Sequence, residues 1–260
     1  MDNQNEQAHQ SKIIDQFSLQ AIPFTQVPGH FDAMQILIEL SKVYIDDAVL
    51  DVACGPGMVA CEFAKHANHV TGIDITPAMI EQAEKRQNDL HLKNLTWAVG
   101  DAISLPYNDN SFSLVLTRYS FHHLQSPNIT LAEIIRVCRP GGRVMVADVS
   151  VDSDKSESYD SLEIMRDPSH THALTHEEFA ALFKNSGLLD CRQSAYGVDI
   201  ELETQLRASF PNPGDESKLR EMIISDIGIN NIGINARREK EKVMYTVPIG
   251  VFIGLKDGSQ

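Results

Sequence analysis

The sequence predicts an α/β fold in which a mostly parallel sheet is doubly wound, with helices on both faces. Short apolar segments alternate with segments of helical periodicity from residue 48 to residue 149, as in repeated strand–helix–strand units. The first apolar segment, Ala48 to Val52, ends in a glycine-rich turn, Cys54-Gly-Pro-Gly57. Polar residues follow the later strands, at the edge of the sheet where such folds bind ligands. We therefore expect one ligand site along that edge.

The apolar runs and the helix signals divide the chain into elements. The predicted strands are residues 48–52, 69–74, 94–99, 111–118, 143–149, 188–199 and 243–255. The predicted helices are residues 31–43, 59–66, 77–88, 127–138, 175–186, 201–209 and 215–227. We expect Thr76 to be the N-cap of the third of these helices and Thr175-His-Glu-Glu178 to form a capping box. A polar loop is expected over residues 152–160.

The chain is expected to form one domain with an arm and a cap. Residues 1–29 are predicted to be a flexible N-terminal arm, disordered to about residue 12 because few of its side chains can be buried. Residues 30–260 are predicted to be the domain itself, and residues 199–242 an insertion between its last two strands. An insertion at that point suggests a helical lid over the ligand site.

Charge and composition narrow the classes of partner. The formal net charge of −14 disfavours nucleic acid and anionic lipid, so a small molecule is the expected partner. The only compact basic cluster, residues 237–242, alternates with acids and is expected to be a solvated helix face. The apolar runs are too short to span a bilayer and no signal segment precedes them, so a cytoplasmic protein is expected. The four cysteines form no C-x-x-C pair.

The charges near the glycine turn point to the kind of cofactor. Gly55-Pro-Gly-Met-Val-Ala60 satisfies the dinucleotide pattern G-x-G-x-x-G/A, which keeps an NAD-dependent oxidoreductase as an alternative. However, Asp51 lies close to the glycines, and Asp74 and Asp101 end the next two strands. A pyrophosphate disfavours these acids, whereas a cofactor with an ammonium and a sulfonium is attracted by them. Three acids without a basic anchor favour S-adenosylmethionine over NAD.

Five motifs occur in one order: Asp51-x-x-Cys-Gly-Pro-Gly57, Asp74, Gly100-Asp101-Ala102, Phe121-His122-His123 and Arg139-Pro-Gly-Gly142. Together they resemble class I S-adenosylmethionine-dependent methyltransferases over about residues 30–197. The resemblance is strongest to the ubiquinone/menaquinone-biosynthesis C-methyltransferases and their small-molecule relatives. It implies a Rossmann-like, seven-stranded sheet of order 3-2-1-4-5-7-6 with strand 7 antiparallel. Cys54 and Pro56 depart from the family's usual residues, a small one and Thr, at positions where backbone groups bind the cofactor.

The resemblance also implies residue roles. Gly55 and Gly57 would line the methionine part of the cofactor, and Asp51 would hold its ammonium. Asp74 would bind the ribose, with Ile75 beside the adenine, and Asp101 and Ala102 would read the adenine edge. Arg118 and Tyr119 would lie under the sulfonium. The full set of expected cofactor-binding residues is Asp51, Ala53, Cys54, Gly55, Gly57, Asp74, Ile75, Gly100, Asp101, Ala102, Arg118 and Tyr119.

His122 and His123 are the candidate catalytic residues. The cofactor supplies the electrophile in a methyl transfer, so the protein positions the acceptor and removes its proton. A neutral histidine is suited to that step. The alternatives are that one of the two only packs or binds a carbonyl group, and that proximity alone carries the reaction.

The acceptor pocket is expected beyond the fifth strand, around Arg166-Asp-Pro-Ser-His170. No cysteine or carboxylate cluster completes a metal site with His170, His172 and His176, so no metal is expected. The expected substrate-binding residues are Phe17, Phe24, His123, Asp167, His170 and Tyr245.

The function expected from the sequence is methyl transfer from S-adenosyl-L-methionine to a small, aromatic or otherwise apolar acceptor, at oxygen, nitrogen or carbon. Besides the oxidoreductase, a protein that keeps the fold without transferring a methyl group is the remaining alternative. A monomer or a homodimer is expected.

Overall fold

The structure of the protein, a computed structural model, describes residues 3–23 and 33–258. In this part of the chain the helices are α1 Asn3–Gln20, α2 Met34–Ser41, α3 Met58–Phe63, α4 Pro77–Asp89, α5 Pro127–Val137, α6 Ser156–Arg166, α7 His176–Asn185, α8 Leu202–Ala208 and α9 Asp215–Ser225. The strands are β1 Ala48–Val52, β2 His69–Asp74, β3 Leu95–Val99, β4 Phe112–Arg118, β5 Cys138–Val149, β6 Leu189–Glu201, β7 Arg237–Glu239 and β8 Lys242–Leu255.

One sheet organises the molecule, in the order β3-β2-β1-β4-β5-β8-β6. The pairs among β1 to β5 are parallel, and β8 runs antiparallel to both β5 and β6. Because β8 is the seventh strand expected from the sequence, the order 3-2-1-4-5-7-6 with an antiparallel strand 7 is confirmed. The order reverses between β1 and β4, which places the carboxyl ends of both strands beside one crevice.

The apolar strands are buried on both faces of the sheet. Val49 and Leu114 belong to the core on one face, and the next residues, Leu50 and Val115, belong to the core on the other. Every residue of β4 is buried. Helices cover both faces, so these strands read as continuous apolar runs rather than as alternating ones.

The expected disorder of the N-terminal residues is wrong from Asn3 onward, because α1 is helical and packs across the carboxyl edge of the sheet. His9 Nε2 lies 2.7 Å from the backbone oxygen of His123, and Gln10 Nε2 donates to Asp101 Oδ2 at 2.6 Å. The ring of Phe17 meets the ring of His123 edge-on, with centroids 5.0 Å apart. The helix is polar in sequence because it covers a polar edge rather than an apolar core.

Two further expectations are corrected by the structure. Residues 156–166 form α6 rather than continuing the polar loop, because Tyr159 and Leu162 are buried against the core. The basic cluster at residues 237–242 is not a helix face: Arg237–Glu239 is β7, which forms a hairpin with the start of β8. There Arg237 Nη2 pairs with Asp199 Oδ2 at 3.0 Å.

The helix caps follow the sequence in one case and differ in the other. Thr175 and Glu178 form the expected capping box at the start of α7. Thr76 is at the N-cap position of α4, but its side chain makes no capping bond. Instead, Asp74 Oδ1 accepts the Thr76 N–H at 2.9 Å.

The segment between β6 and β8 packs on the same core as the sheet. Leu219 and Ile223 of α9 are buried in one apolar cluster with Leu162 of α6. Among residues 3–23 and 33–258, no helix combines the length and the hydrophobicity that crossing a membrane requires.

Candidate active site

A cavity of about 230 Å³ opens at the carboxyl edge of the sheet. The turn after β1, the end of β2 and the residues after β3 line one end of it, and α6, α8 and β8 line the other. The residues that end β4 and the turn that follows lie between the two ends, and α1 covers them. The strand ends thus meet at one site, as the sequence predicts.

The turn after β1 is held open by a carboxylate of the next strand. Asp74 Oδ2 accepts the Gly55 N–H at 2.8 Å, while its Oδ1 holds the start of α4. Burial raises the pKa of Asp74, and the N–H groups of Thr76 and Gly55 oppose that rise. Gly55 has φ +52° and no atom within 4 Å of an added Cβ, so its backbone faces open space.

Gly57 is required for packing rather than for the cavity. A Cβ at this position would lie 2.7 Å from the ring of Trp97 and 2.9 Å from Cβ of Ala83. The residue is absent from the cavity lining. Its φ of +72° also favours glycine. The second glycine of the motif therefore lets α3 approach α4 and β3.

Asp51 is a buried carboxyl group in an environment that disfavours its ionised form. Its side chain is 1% exposed, and Oδ2 has no hydrogen-bond partner among the described residues. Burial raises the pKa of Asp51 to about 8; Asp74 adds to the rise, and the Ala60 backbone and Arg118 oppose it. With this pKa the carboxyl group is mainly protonated at pH 7, and a nearby cation would favour its ionised form.

Asp101 is already occupied by protein groups. Gln10 of α1 donates to its Oδ2, and the Ile103 N–H donates to its Oδ1 at 3.1 Å. The second contact is an Asx-type turn. A ligand that reads Asp101 must therefore share Oδ2 with Gln10 or displace the amide.

Arg118 and Tyr119 line the middle of the cavity as one unit. The Arg118 guanidinium donates to Tyr119 Oη at 2.7 Å and lies 4.1 Å from the centre of its ring. Tyr119 Oη is 3.2 Å from Tyr196 Oη. The backbone of Tyr119 has φ +59°, which is strained for a residue with a bulky side chain. These contacts fix both side chains at the end of β4.

Asp148, the last buried acid of β5, orders the turn that carries the two candidate histidines. Its carboxylate is fully buried and accepts the N–H groups of Ser120 and Phe121, each at 2.7 Å. His122 Nδ1 lies 2.5 Å from Asp148 Oδ1. Because the ionised carboxylate accepts a hydrogen bond from Nδ1, that nitrogen carries the proton, and Nε2 is the ring nitrogen that can take up a proton.

The two histidines have opposite proton affinities. Burial lowers the pKa of His122, but the charge of Asp148 and its hydrogen bond outweigh burial, and the net pKa is raised. Burial and then the neighbouring His122 lower the pKa of His123 to about 3. The ring centroids are 4.1 Å apart. His122 is thus the stronger base, and His123 is neutral.

A chain of hydrogen bonds fixes His123. Ser169 Oγ donates to Asp167 Oδ1 at 2.6 Å, so it accepts from His123 Nδ1 at 3.1 Å. Asp167 also accepts from Gln20 Nε2 of α1 at 3.1 Å. Burial raises the pKa of Asp167, but the Arg166 charge and the hydrogen bonds from Ser169 oppose the rise, and the net pKa is lowered. Asp167 is therefore an ionised residue that supports His123.

His170 lies behind the cavity and is absent from its lining. Its Nε2 is 2.7 Å from Asp160 Oδ1, and its ring centroid is 5.6 Å from that of His122. His170 lies outside the cavity because it binds Asp160 of α6, a helix that was not predicted from the sequence. Among the described residues, no group of three or more His, Cys, Asp and Glu has the arrangement of a metal site.

The structure brings most of the predicted site residues to one cavity. Those that line it are Phe17, Asp51, Ala53, Cys54, Gly55, Asp74, Ile75, Gly100, Asp101, Ala102, Arg118, Tyr119, His122, His123, Asp167 and Tyr245. Gly57 and His170 lie outside the lining, and Phe24 lies outside the described residues.

Apart from Arg166, which belongs to the expected pocket motif, the cavity-lining polar residues of α6 and α8 were not predicted from the sequence. Glu163 and Arg166 line the cavity and pair with each other, with Arg166 Nη2 2.5 Å from Glu163 Oε2. Tyr159 of α6 and Gln205 of α8 line it as well. A signal was present for α6, since Tyr159, Leu162 and Met165 recur at helical spacing.

Comparison with known proteins finds similarity to methyltransferases. Residues 50–146 match a family model described as a methyltransferase domain. The uncharacterized methyltransferase YcgJ of Bacillus subtilis is 26% identical over 185 residues, which cover 70% of this chain and 73% of that protein. The ubiquinone/menaquinone biosynthesis C-methyltransferase UbiE of Roseobacter denitrificans is 37% identical over 105 residues, which cover 39% of this chain and 42% of that protein.

Solved structures share the fold. The crystal structure of YcgJ has a TM-score of 0.79 at 21% identity, over 86% of this chain and 98% of that one. The [4+2]-cyclase SpnF has a TM-score of 0.60 at 18% identity, over 87% of this chain and 81% of that one. At these identities the likeness is one of fold, and the same architecture carries more than one chemistry.

Proposed function

We propose that the chain, whose residues 50–146 match a methyltransferase domain, is an S-adenosylmethionine-dependent methyltransferase that methylates a small, neutral acceptor with an apolar body. The observation that carries the proposal is the continuity of one cavity from the buried Asp51 carboxyl group to the neutral pocket around Tyr245. The two ends suit a cationic cofactor and an uncharged acceptor.

The residues at the first end fit S-adenosylmethionine. The unpartnered Oδ2 of Asp51 is a buried acceptor that an ammonium group would satisfy. Asp74 retains lone pairs for ribose hydroxyls while it holds the Gly55 N–H. Asp101 and Ala102 line the same cavity, and in this proposal they contact the adenine edge. When bound, the cofactor supplies a methyl group on a sulfonium, and these residues bind and orient it.

At the second end the charged groups are already engaged by protein groups, and Asp167 accepts hydrogen bonds from Ser169 and Gln20. Glu163 and Arg166 neutralise each other, and Arg166 Nη1 also donates to Ser209 Oγ at 3.3 Å. Apolar side chains from β6 and β8 also line this end of the cavity, namely Val198, Ile200, Val247 and Ile249. A charged acceptor would lose its hydration there without gaining an ionic partner, so the pocket favours a neutral one.

His122 is the base in this proposal. Asp148 fixes its Nδ1–H and raises its pKa, so Nε2 can take a proton from an acceptor that becomes nucleophilic. His123, neutral and held through Ser169, contributes a hydrogen bond and fills the wall between the two ends. Positioning of the acceptor by these residues and exclusion of water by α1 supply the remainder of the rate acceleration.

Calorimetric titration with S-adenosylhomocysteine and with NAD⁺ tests the cofactor assignment. The expected result is saturable binding of S-adenosylhomocysteine, no binding of NAD⁺, and about 150-fold weaker binding in Asp51→Asn, which corresponds to about 3 kcal/mol for a lost buried charge pair. Asp199→Asn, an acid of the exposed hairpin region, serves as the matched control and should bind normally. Binding of NAD⁺ in preference would contradict the assignment.

Transfer of a labelled methyl group to phenols, amines and carbon acids tests the reaction itself. The expected products form from neutral acceptors and not from their carboxylate or phosphate analogues. Binding of the cofactor with no transfer to any acceptor in a broad panel would favour a protein that keeps the fold without methyl transfer.

A further inference from the structure

One polar side chain at the acceptor end of the cavity has no protein partner. Gln205 of α8 is 9% exposed and lines the cavity. Its Oε1 is buried and has no hydrogen-bond partner. Tyr159 and Tyr245 line the same end of the cavity.

The two other glutamines that are buried among the described residues have hydrogen-bond partners. Gln16 Nε2 donates to the backbone oxygen of Phe210 at 3.4 Å, and Gln20 Nε2 donates to Asp167 Oδ2 at 3.1 Å. A buried carboxamide with no partner destabilises a folded protein, so buried polar groups are nearly always hydrogen-bonded. Of these three buried glutamines, Gln205 alone has a buried oxygen without a hydrogen-bond partner, and it lines the acceptor end of the cavity.

The sequence position of Gln205 is also unusual. Leu202 and Leu206 of the same helix are buried, and Gln205 lies three residues from the first and next to the second, on the buried side of α8. A leucine or methionine at this position would continue the apolar face. The polar residue therefore interrupts a core-facing stripe at the wall of the cavity.

We propose that Gln205 is a specificity-determining residue, whose carboxamide binds a neutral hydrogen-bonding group of the acceptor, a hydroxyl, carbonyl or amide, away from the methylated atom. This inference rests on the proposed function and adds the acceptor's second polar group to it. A carboxamide donates and accepts without charge, which matches such groups and not ions. The Tyr159 and Tyr245 hydroxyls provide further neutral partners at the same wall.

The stability of the ligand-free protein gives the first test. Gln205→Met removes an unsatisfied carboxamide and keeps the length of the side chain, so Tm should rise by about 2–4 °C. Gln16→Met is the matched control, because it removes a satisfied carboxamide, and its Tm should fall. A fall in Tm for Gln205→Met would assign the residue a structural role and overturn the proposal.

Ligand binding gives the second test. The probes are the 2-, 3- and 4-hydroxybenzyl alcohols and the corresponding ethylphenols, which differ only by a hydroxyl in place of a terminal methyl. Saturation-transfer NMR on protein saturated with S-adenosylhomocysteine measures their affinities. Wild-type protein should bind at least one of the alcohols about 10-fold more tightly than its ethyl analogue, and Gln205→Met should lose that preference.

The outcomes separate the inference from the function on which it rests. Failure to bind S-adenosylhomocysteine refutes the proposed function before any probe is added. If that cofactor product binds, equal affinities for each pair in wild-type protein, an unchanged preference in Gln205→Met, or no binding of any probe overturns the role of Gln205 and leaves the cofactor assignment intact.

Discussion

Asp51→Asn should change how the stability of the ligand-free protein depends on pH. The folded protein holds the Asp51 proton with a pKa of about 8, chiefly because the carboxyl group is buried, whereas the ordinary value is 3.8. The folded state therefore binds this proton more tightly than the unfolded state does. The stabilisation is complete below the unfolded pKa and is lost as pH rises through the folded pKa.

The size of this loss of stability follows from the difference between the folded and unfolded pKa values of Asp51. Each pH unit between the two pKa values changes the free energy of unfolding by up to about 1.4 kcal/mol, so about 3 kcal/mol is lost from pH 5 to pH 7.5. For a domain of this size that loss lowers Tm by about 6–12 °C. Asn cannot ionise, so the variant should not lose this contribution.

Thermal unfolding of ligand-free wild-type and Asp51→Asn protein from pH 5 to pH 9 measures the difference. The Tm of the variant minus that of the wild type should rise through this range and level off above about pH 8. Asp199→Asn is the control: its partners Thr246 and Arg237 lower the pKa of Asp199, so its difference from wild type should be constant above pH 5. A pH-independent difference for Asp51→Asn would refute the reasoning.

Three further substitutions test other contacts. Asp148→Asn should lower kcat about 100-fold and move the acidic limb of the pH profile of kcat to lower pH, because His122 loses the charge that raises its pKa. An acidic limb that does not move would contradict the role of His122 as the base. Gln10→Ala should tighten S-adenosylhomocysteine binding about fivefold in calorimetry, since a competing hydrogen bond to Asp101 is gone; weaker binding would mean that α1 contacts the ligand. Thr175→Ala should lower Tm by about 2–4 °C in a thermal melt, and an unchanged Tm would show that the capping box contributes nothing.

The sheet and the cofactor-binding end of the cavity could be predicted because both depend on short stretches of sequence. Apolar runs such as Phe112 to Arg118 must be strands buried on both faces, and the residues after them must meet at one edge. Asp51, Asp74 and Asp101 were found by position alone. Their partners were not, because Gln10 lies 91 residues from Asp101 in sequence.

The acceptor end was predicted less completely, since its residues are set by tertiary packing. The missed helix α6 supplies Glu163, which pairs with Arg166, and Asp160, which holds His170 away from the cavity. The polarity of α1 suggested disorder, because burial against a polar edge leaves no apolar stripe in a sequence. Gln205 could not be singled out, because only the structure reveals that its carboxamide has no partner.

Proton release on cofactor binding tests the central claim most directly, namely that the buried Asp51 carboxyl group is the seat of a cationic cofactor. At pH 7, with a pKa of about 8, Asp51 is about 90% protonated in the ligand-free protein. An ammonium beside it favours the ionised form, so calorimetric titration with S-adenosylhomocysteine in buffers of different ionisation enthalpy should detect about 0.9 proton released by this group per molecule bound. Asp51→Asn should release none. Binding without proton release in the wild-type protein would contradict the account.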